Sequence, residues 1–359
     1  MSARSFGPAD RHGFDAVVDV RSPAEFALDH IPGAVNCPVL DDEERRIVGT
    51  IYVQDSAFEA RKLGAAMVAR NIARHLDGPF FKDRPRNWRP LLYCWRGGMR
   101  SASFVTWLRL IGWDAQQLQG GYKAWRRHVM SLLDERIAAL PLRVVCGPTG
   151  SAKTRVLQAL AAQGAQVLDL EGLAGHRGSV LGAVPGVQQP SQKGFETQVA
   201  AVVEGFDPAR PVFVEAESRR IGRISLPDAL LLPLRAAPCI EIAATREARL
   251  DYLLRDYAFF ADDPEDLASK LALLKGLQPN ETLERWIGWA RARELRPLFD
   301  ELIALHYDPL YARSQRQNLA ALTAAQRFET DDLSDAGIAA LAARIAERCA
   351  AWPSRAEAV

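Results

Sequence analysis

A chain of 359 residues, 48% hydrophobic and 25% charged, is long enough for two globular domains and is neither a disordered tail nor a disulfide-stapled miniature. Its net charge of +1 excludes a globally basic nucleic-acid binder, so any polyanion site must be a local patch. Five widely spaced cysteines (Cys37, Cys94, Cys146, Cys239, Cys349) without a C-x-x-C pair, no apolar run of roughly 18 residues and no signal-like N-terminus lead us to expect a cytoplasmic protein with reduced thiols.

In chain order, Ala16 to Val20 reads as a short buried strand. Ser22 and Pro23 follow as N-cap and first helical turn, His30 to Ala34 as a turn, and Val35 to Pro38 as a second strand. The insert from Asp41 to Asp77 carries apolar residues at helical spacing, with its charges on a solvated face. Leu91 to Tyr93 is a further buried strand and Ala102 to Leu108 a helix. Between them, Cys94 stands at a strand end and a glycine-bearing loop enters a helix N-terminus. Backbone N–H groups of such a loop converge on one point, where the helix dipole adds positive potential. Arg96 and Arg100 reinforce both effects, which favour the thiolate, and Gly97 and Gly98 offer the positive φ angles of a tight cradle. A lone cysteine is ordinarily an inert core residue. Here the loop supplies what a nucleophile needs, so Cys94 is the candidate catalytic residue, and Trp95, Arg96, Gly97, Gly98, Met99, Arg100 and Ser101 form its anion loop.

Asp19-Val20-Arg21-Ser22-Pro23-Ala24-Glu25-Phe26 and His30-Ile31-Pro32-Gly33-Ala34 resemble the opening signature of rhodanese domains, and Gln119-Gly120-Gly121-Tyr122-Lys123-Ala124-Trp125 resembles their closing one. With Cys94 the three blocks cover about 1–130. The resemblance implies a small parallel α/β domain in which the cysteine carries a persulfide, while Asp19, Arg21 and Glu25 mainly hold the fold. Cys94 and Arg100 have five residues between them, one more than the usual rhodanese loop. That spacing resembles the cysteine phosphatases, whose wider loop holds a tetrahedral phosphate, and it asks for a bulkier anion than a sulfane sulfur donor.

Ser131 to Leu140 is expected as a linker helix, over about 131–141. Leu142 to Cys146 is a strand, followed by Gly147-Pro148-Thr149-Gly150-Ser151-Ala152-Lys153-Thr154 and a helix through Ala162, which is a phosphate-binding P-loop in the right context. Gly147, Gly150 and Ser151 shape the loop, Lys153 neutralises phosphate, and Thr154 reaches a magnesium ion. Ala152 stands where glycine is usual, and its methyl group is expected to crowd a phosphate. Val167 to Glu171 is read as a strand, Gly175 to Gly182 as a loop, and Gln192 to Glu196 as a helix start. Pro211 to Arg223 is read as one strand ending in acids and arginines, with Glu215 placed for a magnesium-associated carboxylate. The apolar run Ala229 to Leu234 fits either a prenyl channel or plain core. After Thr245 the chain turns helical (246–260, 264–274, 280–305), is interrupted at His306 to Tyr311, and ends in a helix over about 334–350. The domains are thus a rhodanese-like region 1–130 with a helical insert about 41–77, a linker helix 131–141, a P-loop α/β region 142–245, and a mainly helical region 246–359.

Taken together, the Cys94 loop, the P-loop, Arg177-Gly178-Ser179, Gln192-Lys193-Gly194-Phe195-Glu196, Glu215-Ala216-Glu217-Ser218-Arg219-Arg220-Ile221-Gly222 and Tyr307-Asp308-Pro309 resemble the tRNA 2-selenouridine synthase family over about 14–312. The fold expected is α/β throughout: a rhodanese-like parallel-sheet domain, then a P-loop domain with a helical extension. The resemblance implies conversion of 2-thiouridine to 2-selenouridine at the wobble position of tRNAs for lysine, glutamate and glutamine. The implied co-substrates are selenophosphate, from a selenophosphate-producing enzyme, and geranyl diphosphate, which gives an S-geranyl intermediate; Mg2+ is the implied metal, and no membrane is involved. S-alkylation makes chemical sense, because it turns a poor thiocarbonyl leaving group into a thiol. Arg177, Arg219, Arg220 and Arg223 are candidate tRNA contacts, as are Arg84, Arg86, Trp88 and Arg89, and Lys123, Arg126 and Arg127. The competing readings are a cysteine phosphatase or sulfurtransferase fused to a P-loop NTPase, and a non-catalytic RNA-binding module. Tyr93 in place of the usual histidine and the lack of a loop aspartate weigh against the phosphatase, and the intact Cys94 against the inactive module.

Overall fold

The structure is a computed structural model that describes residues 5–178, 182 and 186–350. It divides into two compact units, Met1–Leu132 with Pro190–Ala201, and Leu133–Gln189 with Val202–Val359. The first unit contains β1 (Ala16–Asp19), α1 (Pro23–Leu28), β2 (Val35–Asn36), α2 (Asp42–Gln54), α3 (Ala57–Leu76), α4 (Pro79–Lys82), β3 (Pro90–Tyr93), α5 (Met99–Ile111) and β4 (Gln116–Gln117). Its sheet runs β2-β1-β3-β4, all parallel. Every residue of β3 is buried, as expected of a strand covered by helices on both faces. Val18, Val20, Leu92, Phe104 and Leu108 anchor that core. Asp41 and Ser56 cap the two helices of the insert, accepting the backbone N–H of Glu44 and Glu59.

Helix α6 (Gly121–Ala139) runs unbroken from the closing rhodanese signature. The expected linker helix is therefore its last turns. No breaker lies between, and Pro141 ends it by disfavouring helical backbone at Leu140.

The second unit is built on β5 (Leu142–Cys146), α7 (Lys153–Ala162), β6 (Gln166–Leu168), α8 (Leu170–Ala174), α9 (Gln192–Glu204, whose first part belongs to the first unit), β7 (Val212–Glu215), β8 (Arg220–Ile221), β9 (Ile224–Ser225), α10 (Asp228–Ala236) and β10 (Cys239–Ala244). There follow α11 (Arg246–Asp256), α12 (Pro264–Ala272), α13 (Asn280–Ala292), α14 (Leu295–Glu301), a π-helix (Leu302–Tyr307), α15 (Asp308–Asn318), β11 (Gln326–Thr330) and α16 (Asp335–Ala350). The sheet order is β11-β10-β5-β7-β6, all parallel, so β5 sits in the middle with its P-loop at the carboxyl end.

Several elements differ from expectation, each for a local reason. The strand expected to reach Glu171 ends at Leu168, because the Asp169 carboxylate accepts the Gly172 N–H and starts α8. The strand expected to reach Arg223 ends at Glu215; Arg220 to Ser225 forms a separate antiparallel ribbon turned by Gly222 at φ 57°. His306 to Tyr311 does not interrupt the helix. The chain passes from α14 through the π-helix into α15, whose first turn takes Pro309 without needing its N–H. Strand β11 went unseen because an edge strand with one buried apolar residue, Phe328, shows no periodicity. Leu230, Leu231 and Leu234 are core. Trp88 is buried at 2% exposure, against Phe80, Phe81 and Trp113, and is not available to stack on a base.

Candidate functional site

Strand β3 delivers Cys94 to the sheet's carboxyl edge, where the residue is 3% exposed. The Gly98 N–H and the Ser101 hydroxyl both donate to Sγ at 3.2 Å. Gln117 Nε2 donates to Gly98 O at 3.0 Å and to Ser101 Oγ at 2.7 Å, which leaves the hydroxyl to act as a donor, with the sulfur at 3.2 Å and Gly98 O at 3.3 Å as its acceptors. Burial opposes the thiolate, but the Ser101 hydrogen bonds, the charge of Arg100 and the Gly98 N–H outweigh it and lower the Cys94 pKa. Only one of the two loop glycines has the expected left-handed backbone. Gly97 sits at φ 67°, where a β-carbon would come within 2.8 Å of the Leu118 carbonyl oxygen; Gly98 is extended and acts as the N-cap of α5.

The side chains around the loop divide their tasks. Trp95 packs on Tyr122 with ring centroids 5.2 Å apart, while Arg96 and Met99 are exposed. Arg100 pairs with Glu25 at 3.0 Å, both about one-fifth exposed. Sequence reasoning gave Glu25 a fold-holding role and missed this contact, because the partner lies 75 residues away in the chain. Asp19 and Arg21 form the expected structural pair, buried, with Arg21 Nη2 2.6 Å from Asp19 Oδ2.

In the second unit, Gly147 and Gly150 take φ of 145° and 80°, and a β-carbon at Gly147 would meet the Ile242 carbonyl at 2.7 Å. Ser151 Oγ donates to Pro148 O at 2.8 Å, and Lys153 Nζ reaches Gly147 O at 3.2 Å and Pro148 O at 3.3 Å. Thr154 Oγ1 lies 3.0 Å from Glu171 Oε2 and 3.3 Å from Glu215 Oε2. Glu171, Glu215 and Glu217 each bring a carboxylate oxygen within 4.8 Å of the others. Burial raises all three carboxylates, with Asp169 adding to it at Glu171 and the neighbouring glutamates at Glu215 and Glu217, the last to about 8. Burial draws Lys153 down against their pull. A set of hard oxygens short of positive charge fits a magnesium ion, which Thr154 and Glu215 would hold. Sequence reasoning found Glu215 and missed Glu171 and Glu217, which come from α8 and from the segment after β7.

Ala152, at the expected glycine position, has φ 57° and ψ 28°. The residue is 4% exposed, packed in the apolar cluster of Val145, Val156 and Leu253 at the edge of the P-loop cavity, and its left-handed backbone carries strain.

Two cavities meet at Tyr311, whose ring lies 5.1 Å from Lys153 Nζ. One, about 240 Å³, is lined by the P-loop, Glu171 and Arg177. The other, about 310 Å³, is mostly apolar, with Tyr307, Leu310, Tyr311, Leu319 and Glu217 in its wall. Arg177 pairs with Asp256 at 2.5 Å and lies 4.7 Å from the Tyr257 ring, which puts it at the P-loop rather than on an open RNA surface; Ser179 lies outside the described residues. Arg219, Arg220 and Arg223 stand exposed on the β8–β9 ribbon, Arg219 paired with Asp228 and Arg223 bonded to Gln189. Arg126 is tied to Asp29 and Glu196, and Arg89 to Asp114. Among the described residues no helix is long and apolar enough to cross a membrane.

The family model for rhodanese-like domains matches residues 8–128, and that for the tRNA 2-selenouridine synthase AAA domain matches 140–278. The tRNA 2-selenouridine synthase of Alcanivorax borkumensis is 37% identical over 305 residues, covering 80% of this chain and 81% of that protein. That of Bdellovibrio bacteriovorus is 32% identical over 356 residues, covering 88% and 93%. That of Nitrosomonas europaea is 40% identical over 244 residues, covering 67% of this chain and 63% of its own length. With both domains matched in order, and relatives aligned over most of their length, the chain belongs to the tRNA 2-selenouridine synthase family.

Proposed function

We propose that this chain replaces the sulfur of 2-thiouridine with selenium at the wobble position of tRNAs for lysine, glutamate and glutamine, in two half-reactions at two sites. At the P-loop, the thiouridine sulfur takes the geranyl group of geranyl diphosphate. At the Cys94 loop, selenium from selenophosphate, supplied by a separate enzyme, then displaces the alkylated sulfur. The observation that supports this reading is the pairing of two different anion cradles in one chain. One ends in a cysteine held toward its thiolate, and the other adjoins a mostly apolar cavity of about 310 Å³ that suits a prenyl chain. Lys153 and a magnesium ion at Thr154 and Glu215 would offset the charge of the leaving pyrophosphate.

The test is mass spectrometry of wobble nucleosides from cells lacking this chain and complemented with it or with Cys94→Ser. Wild type should restore 2-selenouridine. Cys94→Ser should yield none while S-geranyl-2-thiouridine accumulates. Selenation that persists in the variant removes Cys94 from the selenium-transfer step.

A further inference from the structure

The insert helices α2 and α3 add nothing to the sheet, yet with α5 they enclose an apolar groove of about 260 Å³. We infer that this groove holds the prenyl chain of the S-alkylated nucleotide while its C2 is attacked at the Cys94 loop. The inference rests on the two-step reading above and assigns a second prenyl site, distinct from the cavity beside the P-loop.

Three observations carry it. The groove shares residues with the loop: Met99 and Arg100 in its wall directly follow Gly98, whose N–H points at Cys94 Sγ from 3.2 Å. It is apolar and open. Tyr52, Met99 and Trp107 line it at 60%, 68% and 48% exposure, large side chains that a ligand would cover. Its lining is basic: among the described residues Arg61 and Arg100, the latter shared with Glu25, are its ionisable side chains apart from the Tyr52 phenol, and no carboxylate lines it. An apolar body joined to an anionic nucleotide matches that lining. The chemistry also needs such a site. As the selenium of selenophosphate bonds to C2, the C2–S bond breaks with its electrons going to sulfur and the ten-carbon thiolate takes a proton; water at phosphorus then breaks the Se–P bond and releases phosphate. Until the C2–S bond breaks, the chain must be kept out of water within reach of the loop.

The experiment measures equilibrium binding of anticodon stem-loops carrying S-geranyl- or S-methyl-2-thiouridine to the full chain without selenophosphate. Burying even two methylenes is worth roughly tenfold, so wild type should favour the geranyl form by at least that factor. Ala65→Phe and Ala69→Phe, exposed helix positions that face the groove, should bring the ratio close to one at an unchanged thermal midpoint. An equal affinity in wild type, or a ratio that both variants leave intact, overturns the groove assignment, including in favour of the P-loop cavity or of a protein partner for this face. Selenation of the S-geranyl stem-loop is followed separately. Preference in binding without turnover would count against the two-step reading and leave the groove standing.

Discussion

Burial by itself holds a thiol protonated, and Cys37, just after β2 in the same unit, shows it: burial, helped by Asp19, pushes its pKa up to about 12. Cys94 is equally buried and goes the other way because Ser101, Arg100 and the Gly98 N–H face its sulfur. Removing the Ser101 hydroxyl takes away a donor to the charged form, so Ser101→Ala should raise the Cys94 midpoint. The rate of iodoacetamide alkylation against pH reads this directly. In wild type it should rise at a lower pH than for an ordinary cysteine, and an unmoved profile in the variant would assign the shift elsewhere. Ala152 presents the opposite balance. Glycine at 152 would relieve left-handed strain of about 1 kcal/mol, but it would give up a buried methyl worth about 0.8 kcal/mol and gain freedom in the unfolded chain. Ala152→Gly should therefore leave stability within about 1 kcal/mol of wild type in denaturant titration. With the residue packed in the apolar cluster, the same variant should not gain ATP affinity relative to geranyl diphosphate in competitive binding; a large gain would make phosphate crowding the effect of Ala152.

Elements carry the site by where they end. β3, β5 and β7 bring Cys94, the P-loop and Glu215 to carboxyl edges of parallel strands, and this much was legible, because strand-loop-helix motifs are local in sequence. The acid cluster was not. Glu171 depends on Asp169 diverting a strand into α8, and Glu217 on the chain leaving the sheet after Glu215, and neither event has a periodic signature. Nor was the brace across the P-loop, where Arg249 of α11 donates to Thr149 O at 2.7 Å and grips Asp308 of α15 at 2.6 and 3.0 Å. These partners are 59 and 100 residues from Arg249 in the chain, so only the folded structure reveals them. Arg249→Ala leaves a loop carbonyl without its donor and a half-exposed carboxylate without its cation, and should cost about 2 kcal/mol of stability by chemical denaturation. Lys153→Ala acts on chemistry instead. Three carboxylates lose the one lysine whose charge they face, and a diphosphate loses its charge partner, so geranyl transfer should fall by roughly two orders of magnitude. Normal geranylation by purified Lys153→Ala protein would place the diphosphate at another site.

For the whole molecule, charge decides how an RNA is met. With 45 basic against 44 acidic residues there is no general field to draw in a polyanion, so binding must come from a few arginines that the fold leaves uncommitted. The structure shortens that set. Arg126, Arg89 and Arg177 are engaged by carboxylates, and Trp88 is in the core. Arg86, Lys123 and Arg127 stay exposed, and so do the arginines of the β8–β9 ribbon. Arg219 shares a pair with Asp228 in which both side chains are about two-thirds exposed, a contact that screened water makes weak and a phosphate readily replaces. Arg220 is exposed beside it, and Gly222 holds the turn that presents them. Each phosphate neutralised contributes roughly 0.7–0.9 to the slope of log affinity against log salt. Wild type should therefore show a shallow slope of a few units for a thiolated anticodon arm, and Arg219→Ala with Arg220→Ala should lower it by about one to two units while weakening binding at low salt most. The ribbon lies outside both sheets, so the double variant should keep the wild-type unfolding midpoint, which separates lost contacts from lost structure. A slope that stays at the wild-type value would move the RNA off this ribbon and onto a different face of the chain.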